Sequence, residues 1–339
     1  MRIAVVGLGF MGATHIRAIL GGAAQLAAVV SRSDQKLAGD LGGTSGNLDT
    51  GGAQFDFEGV KKYRTLTEAL QDPEIDAVDL CLPTDLHENA AIESLRHRKH
   101  LLVEKPMALD QAACDRMLQE ARRAGRVLMV AQVLRFSPAY LSLSAARAQI
   151  GAIRGGNFRR VCARPTWGDW LSDAARSGGG VFDLLIHDVD MALHLFGPPE
   201  AISATGHQDL ALGIDIIDAQ LFYAGGFSIG ISGGWHPGPF PFSMEYTLVG
   251  DDGTIAYNST GGAPKLYRSD GDTKLLESSD QSGDGYVDEI SYFAACCTEG
   301  CEPKRCPPEE SAAAVRLTRA LSEARLRNGE KIAWTLKSE

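Results

Sequence analysis

Met1-Arg2-Ile3-Ala4-Val5-Val6-Gly7-Leu8-Gly9-Phe10-Met11-Gly12 opens the chain. A short apolar run of strand type leads straight into G-x-G-x-x-G, and Ala13–Leu20 continues with helical spacing of apolar residues. Strand, glycine turn, helix is the order in which this motif predicts a dinucleotide site. Gly7 permits the tight turn, Gly9 lets the backbone approach a pyrophosphate, and Gly12 lets the helix pack close to the strand. The helix N-terminus offers free N–H groups and a positive dipole end to the phosphates. Phe10 and Met11, inside the turn, belong to the same expected cofactor contact.

Outward from this turn the alternation continues. Strand candidates are Leu26–Ser31, Ala77–Leu82, His100–Val103 and Val127–Val130, with helical patterns at Leu66–Gln71, His87–Arg98 and Leu109–Ala124. Alternating strand and helix predicts an α/β, Rossmann-type, doubly wound parallel sheet over residues 1–130. Gly42–Gly52, rich in glycine, serine and threonine, reads as a loop. Beyond Gln132 strand-like runs follow one another directly: Phe158–Arg164, Ala201–Thr205, Ile216–Phe222, Phe227–Gly233, Tyr246–Val249, Thr254–Tyr257 and Lys265–Tyr267. Asp251-Asp252-Gly253 is a hairpin signal, one helix covers Phe182–Phe196, and another closes the chain with Ala314, Leu317, Leu321 and Ala324 on one face. Residues 131–339 therefore read as an α+β domain, an antiparallel sheet with a few helices on it.

The 339 residues suit two domains, and 44% hydrophobic with 22% charged residues is ordinary globular composition. A formal net charge of -10 disfavours nucleic acid and anionic membrane as partners. The N-terminus lacks the layout of a signal peptide, and no apolar run approaches the roughly 20 residues of a membrane helix. Cys81, Cys114 and Cys162 sit singly in apolar surroundings, as reduced thiols of a cytoplasmic protein do. Cys296, Cys297, Cys301 and Cys306 lack paired C-x2-C knuckles, so they read as thiols near a surface loop, and no metal is expected.

The end of the second strand distinguishes the dinucleotides. An acid there bonds the ribose 2′-hydroxyl of NAD, whereas an arginine accommodates the 2′-phosphate of NADP. Here Ser31 and Arg32 occupy that place and the first acid, Asp34, comes late. The reading favours NADP, with NAD as the alternative if Arg32 points to solvent or stacks on adenine.

Two further motifs complete the pattern. Glu104-Lys105-Pro106 follows the strand His100–Val103, and Gly178-Gly179-Gly180-Val181-Phe182-Asp183-Leu184-Leu185-Ile186-His187-Asp188-Val189-Asp190 opens the long helix of the second half. With the glycine turn and Pro83-Thr84-Asp85-Leu86-His87, they resemble the glucose–fructose oxidoreductase, inositol dehydrogenase and MocA family over nearly the whole chain. The resemblance implies an oxidoreductase acting on sugars, cyclitols or related polyols, dimeric or tetrameric, with Lys105, Asp183 and His187 as catalytic residues. It also implies a cis bond between Lys105 and Pro106, and that residues 131–339 form an α+β domain on an open, mostly antiparallel sheet that binds substrate and mediates oligomerisation. Pro83, Thr84, His87 and Glu104 join Lys105 as expected cofactor contacts.

The chemistry is coherent without the resemblance. Oxidising an alcohol sends a hydride to a nicotinamide while a base takes the hydroxyl proton, and histidine, with an unperturbed pKa of about 6.5, suits that base. Asp183 and His187, four apart, share a helix face, so the carboxylate can orient the imidazole or bind a substrate hydroxyl. Lys105 can stabilise developing alkoxide charge. Arg135, Phe136, Trp167, Trp170 and Tyr286 are the further candidates for the substrate pocket. A silent dinucleotide- or sugar-binding regulator on the same fold is the competing function; retention of Lys105, Asp183 and His187 weighs against it.

Overall fold

In a computed structural model, which describes residues 1–43, 46, 54–166, 168–277 and 282–335, the opening run forms β1 (Arg2–Val6) and passes through the glycine turn into α1 (Phe10–Gly21). The alternation continues through β2 (Gln25–Val30), α2 (Asp34–Leu37), β3 (Lys61–Tyr63), α3 (Leu66–Leu70), β4 (Ala77–Leu80), α4 (His87–Arg96), β5 (His100–Glu104), α5 (Gln111–Ala124) and β6 (Leu128–Ala131). The six strands order as β3-β2-β1-β4-β5-β6, every neighbouring pair parallel. Every residue of β4, a central strand covered on both faces, is buried, and so is every residue of the edge strand β6. Local signals set the helix ends: Asp110 caps α5 through Ala113 N–H, and Gly125 closes it in the left-handed conformation (φ 61°).

The second half contains α6 (Pro138–Ala146), β7 (Ile153–Ala163), α7 (Ala174–Ser177), α8 (Gly180–Phe196), β8 (Ala201–Asp209), β9 (Ile214–Phe222), β10 (Ser228–His236), β11 (Ser243–Gly250), β12 (Gly253–Asn258), β13 (Lys265–Arg268) and β14 (Thr273–Leu275). After them come α9 (Gly285–Glu299), α10 (Pro308–Arg325) and β15 (Ile332–Ala333). The nine-stranded sheet runs β14-β13-β12-β11-β7-β10-β9-β8-β15 and is antiparallel except where β7 lies parallel to β10. Two compact units result: Met1–Val133 with Asp284–Ala312, and Leu134–Gly283 with Ala313–Glu339. The sequence shows a change of grammar near residue 130 but not the return of residues 284–312. That return arises because α9 packs on α1, where Gly21 and Gly22 leave room for Val287 and Ser291.

The cysteine cluster differs from its expected setting, since Cys296, Cys297 and Cys306 are buried and only Cys301 is exposed. Cys306 Sγ donates to the Val130 carbonyl at 3.3 Å. Of the glycine-rich loop expected over Gly42–Gly52, residues 44–45 and 47–52 lie outside the described residues. Among the described residues, no helix is long and apolar enough to cross a membrane.

In the second unit, the start of α8 is fixed by packing and by one buried acid. A Cβ on Gly180 would lie 2.4 Å from the Trp235 ring, so only glycine lets the helix begin against that fully buried indole. Gly179 has φ 88°, a conformation that favours glycine, and a Cβ there would meet Asp215 Oδ2 at 2.6 Å. Asp215 Oδ2 accepts the Val181 N–H at 3.1 Å, capping α8 from a neighbouring strand, while its Oδ1 accepts from Arg325 at 2.6 Å. Both side chains are buried. Asp215→Ala should therefore strand the Arg325 cation and the helix N–H together, lowering stability in guanidinium denaturation by about 3–5 kcal/mol, the cost of breaking a buried pair. A loss under about 1 kcal/mol would show that the pair does not hold α8, since exposed pairs are worth that little.

Candidate functional site

The first unit supplies a row of groups at one sheet edge. Val6, Leu80, Val103 and Val130 are in register across β1, β4, β5 and β6, so the residues that follow them emerge together at the C-terminal edge. This is the edge at which open α/β sheets bind ligands. Gly7 (φ 95°) turns there, and a Cβ on it would lie 2.4 Å from the Cys81 carbonyl. A Cβ on Gly12 would lie 2.0 Å from the Gly7 carbonyl, so the helix rests directly on the turn. Gly9 is different: a Cβ there meets nothing within 4 Å. Protein packing does not require glycine at position 9, whereas close approach of a ligand to the backbone does. Gly9 is also the N-cap of α1 and provides no side-chain cap, leaving the first N–H groups for an anion. The turn fits a dinucleotide pyrophosphate. Phe10 and Met11, partly exposed, begin α1 beside it.

The strand ends complete this half. Ser31, half-buried, accepts the Ser33 N–H, and Arg32 is exposed. Arg64, absent from the sequence reading, comes alongside because β3 pairs with β2; it donates to the Arg32 carbonyl at 3.3 Å and pairs with Asp34. Two guanidinium groups thus belong to the end of β2. Pro83 and Thr84 open a short 3-10 turn after β4, with Thr84 buried. His87 was expected on the cofactor, but its ring is 1% exposed and both nitrogens face backbone carbonyls, Leu82 O at 2.8 Å and Pro106 O at 2.9 Å. It braces the loop after β4 against the turn after β5, and burial lowers its pKa from the ordinary value.

Lys105, half-buried, follows β5, and its bond to Pro106 is cis. Its backbone N–H donates to Glu104 Oε2 at 3.0 Å. Glu104 in turn meets His15 of α1, Oε1 to Nε2 at 2.9 Å. Burial pushes the Glu104 carboxyl up, yet the bond from His15 and the His15 and Lys105 charges hold it below its usual value. Tyr286, a candidate for the substrate pocket, lies in the first turn of α9 with its ring 6.1 Å from that of His15, and burial raises its pKa.

The second unit carries the other candidates. Asp183 lies in the first turn of α8 and His187 one turn on, both half-buried on one face. Arg135 and Phe136 do not fit the substrate role expected of them. The Arg135 guanidinium is buried and bidentate on Asp190, 2.7 Å to each oxygen, and Phe136 is 0% exposed. These side chains turn into the core. Trp170 is partly buried against Leu171, Leu184 and Trp235 and serves packing; Trp167 lies outside the described residues. At the start of α8, Gly179 makes room for Asp215 and Gly180 for Trp235.

Comparison with known proteins agrees with both halves. Residues 1–132 match the model of the oxidoreductase family with an NAD-binding Rossmann fold, and residues 145–256 match the GFO/IDH/MocA C-terminal domain. The chain belongs to the GFO/IDH/MocA oxidoreductase family. It is 35% identical over 141 residues to a myo-inositol 2-dehydrogenase of Thermotoga maritima, covering 41% of this chain and 42% of that one. It is 31% identical over 224 residues to an inositol 2-dehydrogenase of Saccharopolyspora erythraea, covering 65% and 60%. The chain thus spans about half the length of the curated relatives it matches. The fold matches aldose-aldose oxidoreductase from Caulobacter crescentus with a TM-score of 0.84 at 22% identity over 98% of this chain and 99% of that one. It also matches levoglucosan dehydrogenase in complex with NADH, TM-score 0.82 at 17% identity over 98% of both.

The contrast among the glycines of this family member gives a direct test. Gly9→Ala should leave the thermal midpoint within about a degree of the parent, since its Cβ enters open space, but should weaken NAD(H) binding at least tenfold in a fluorescence titration. Gly12→Ala should lower the midpoint, because its Cβ has no room. Equal cofactor affinity in Gly9→Ala would remove the pyrophosphate from the turn.

Proposed function

We propose that the chain is an NAD(P)-dependent dehydrogenase or reductase that interconverts a hydroxyl and a carbonyl on a sugar, cyclitol or related polyol. One observation carries this reading: the open, uncapped glycine turn and the Glu104-held Lys105 emerge from the same edge of one parallel sheet. A bound nicotinamide supplies the hydride chemistry. The reading assigns Lys105 of the first unit and Asp183 and His187 of the second to one reaction. His187 takes the hydroxyl proton, Lys105 donates to the reacting oxygen, and Asp183 orients the imidazole or binds a neighbouring hydroxyl. The names of the inositol dehydrogenase relatives support the substrate class.

His187→Ala should lower turnover by about 10²- to 10⁴-fold with cofactor affinity little changed, the usual worth of a positioned general base. Lys105→Ala should do similar damage through the lost oxyanion contact. The measurement is steady-state absorbance at 340 nm against a panel of polyols, beside a cofactor titration of each variant. Cofactor binding without turnover by the parent on any polyol or sugar would favour the silent regulator.

Within this reading NADP(H) binds more tightly than NAD(H), because Ser31, Arg32 and Arg64 stand where an acid selects NAD. Arg32→Ala should narrow the difference in calorimetry; equal or tighter binding of NAD(H) by the parent would refute the preference. The chain also acts as a homo-oligomer in the cytoplasm. Along β9, Asp215, Ile217, Ala219 and Leu221 are buried, while Ile214, Ile216 and Phe222 on the alternate face stay half-exposed and suit a second copy. A monomer by light scattering at micromolar concentration would contradict this.

A further inference from the structure

His15, in the second turn of α1, is fully buried between two fully or nearly fully buried acids of neighbouring strands. Its Nδ1 bonds Asp79 Oδ2 of β4 at 2.9 Å, and its Nε2 lies 2.9 Å from Glu104 Oε1 of β5. The second contact is an ion pair by distance without the alignment of the first. A neutral imidazole would set a ring lone pair against one of these oxygens, like against like, in a site with little water to screen it. The remaining carboxylate oxygens are also engaged: the Cys81 thiol lies 3.6 Å from Asp79 Oδ1, and Glu104 Oε2 accepts the Lys105 N–H. From α9, Tyr286 packs its ring against His15, and Glu289 is buried one turn further on.

We propose that His15 is a positioning residue: a charged imidazolium that clamps Asp79 to Glu104, and through Glu104 fixes the backbone of Lys105 beside the glycine turn that begins its own helix. The part concerning Lys105 rests on the reading of that residue given under Proposed function. One cation thereby ties together α1, β4 and β5, the three elements from which this half of the site is built. The charge balance agrees with the geometry. Burial alone would lower the His15 pKa, but the Asp79 carboxylate and its hydrogen bond outweigh it and raise the group well above 6.5. His15 therefore stabilises the fold in full below its unfolded pKa of about 6.5 and loses that contribution only as pH rises through the raised folded value. Glu104, held below its usual 4.5, contributes above that value and loses it as pH falls through the depressed one. Between about pH 4.5 and 6.5 the clamp's contribution is insensitive to pH.

The test uses the full-length protein and needs no substrate. In the parent, nitrogen NMR of labelled histidine, with the His15 signal assigned by its loss in His15→Gln, should show both ring nitrogens protonated at pH 7.5. The NADH dissociation constant of the parent should be nearly level from pH 5.5 to 8, whereas its thermal midpoint should be level only to about pH 6.5 and then fall, since the unfolded imidazole releases its proton while the folded one keeps it. His15→Gln leaves two buried acids facing each other, so its midpoint should fall and its NADH affinity weaken about tenfold across that range, recovering at the acid end as one acid takes up a proton. His15→Gln with Asp79→Asn removes the surplus charge and should restore a level NADH affinity. A neutral His15 ring at pH 7.5, a His15→Gln profile parallel to the parent's, or a stoichiometric metal in the purified protein would overturn the proposal. Should His15→Gln fail to fold, the charge-neutral double variant with Asp79→Asn supplies the assignment, and the NMR state of the parent still decides. A protein that passes these tests yet turns over no polyol would sink the enzymatic reading alone.

Discussion

Charge taken out of water must find a partner, and both units are organised around places where that rule is met. In the first, His15 lies between Asp79 and Glu104. In the second, Arg160 meets Asp188, Arg135 meets Asp190, and Arg325 meets Asp215, each pair buried. Such pairs add little net stability compared with a well-packed apolar core, but breaking one is costly, and they allow few arrangements. Here they join elements at the points where the candidate chemistry begins. Asp215 sets the first turn of α8, and Glu104 fixes the backbone N–H of Lys105.

Packing without a side chain works alongside these charges. Gly12 and Gly180 each let a helix approach a neighbour closely, the first a backbone turn and the second an indole. Gly9 has no such neighbour. The distinction between glycines that serve the protein and one that faces open space cannot be made from the letters G-x-G-x-x-G. It follows from what surrounds each Cα, and it separates the part of the motif that makes the turn from the part available to a ligand.

Much of the fold was legible in the sequence, because buried parallel strands announce themselves as apolar runs between helical patterns. β3 was not, since Lys61-Lys62-Tyr63 has no apolar alternation and pairs only at the sheet margin. Arg64 was missed with it. The parallel pairing of β7 with β10 also has no local signal, because it depends on which edge stays open after β8 and β9 pair. The motifs were legible as stretches at strand and helix ends, but the direction of the neighbouring side chains was not. Arg135 and Phe136 occupy the expected segment and turn into the core, because an acid 55 residues away receives the arginine. Asp79 was the overlooked clue: an acid in the centre of Ala77-Val78-Asp79-Leu80 has to meet a cation, and His15 is where the fold brings one.

The return of residues 284–312 to the first unit has a consequence for synthesis on the ribosome. A growing chain completes β1 to β6 well before α9 exists, and translation at about 5–20 residues per second separates the two events by many seconds. During that interval the flank of α1 beside Gly21 and Gly22, later covered by Val287 and Ser291, faces solvent. The nascent Rossmann unit is therefore an incomplete body, open to chaperones and to premature self-association. Its final closure waits until residues from the far end of the chain have left the exit tunnel.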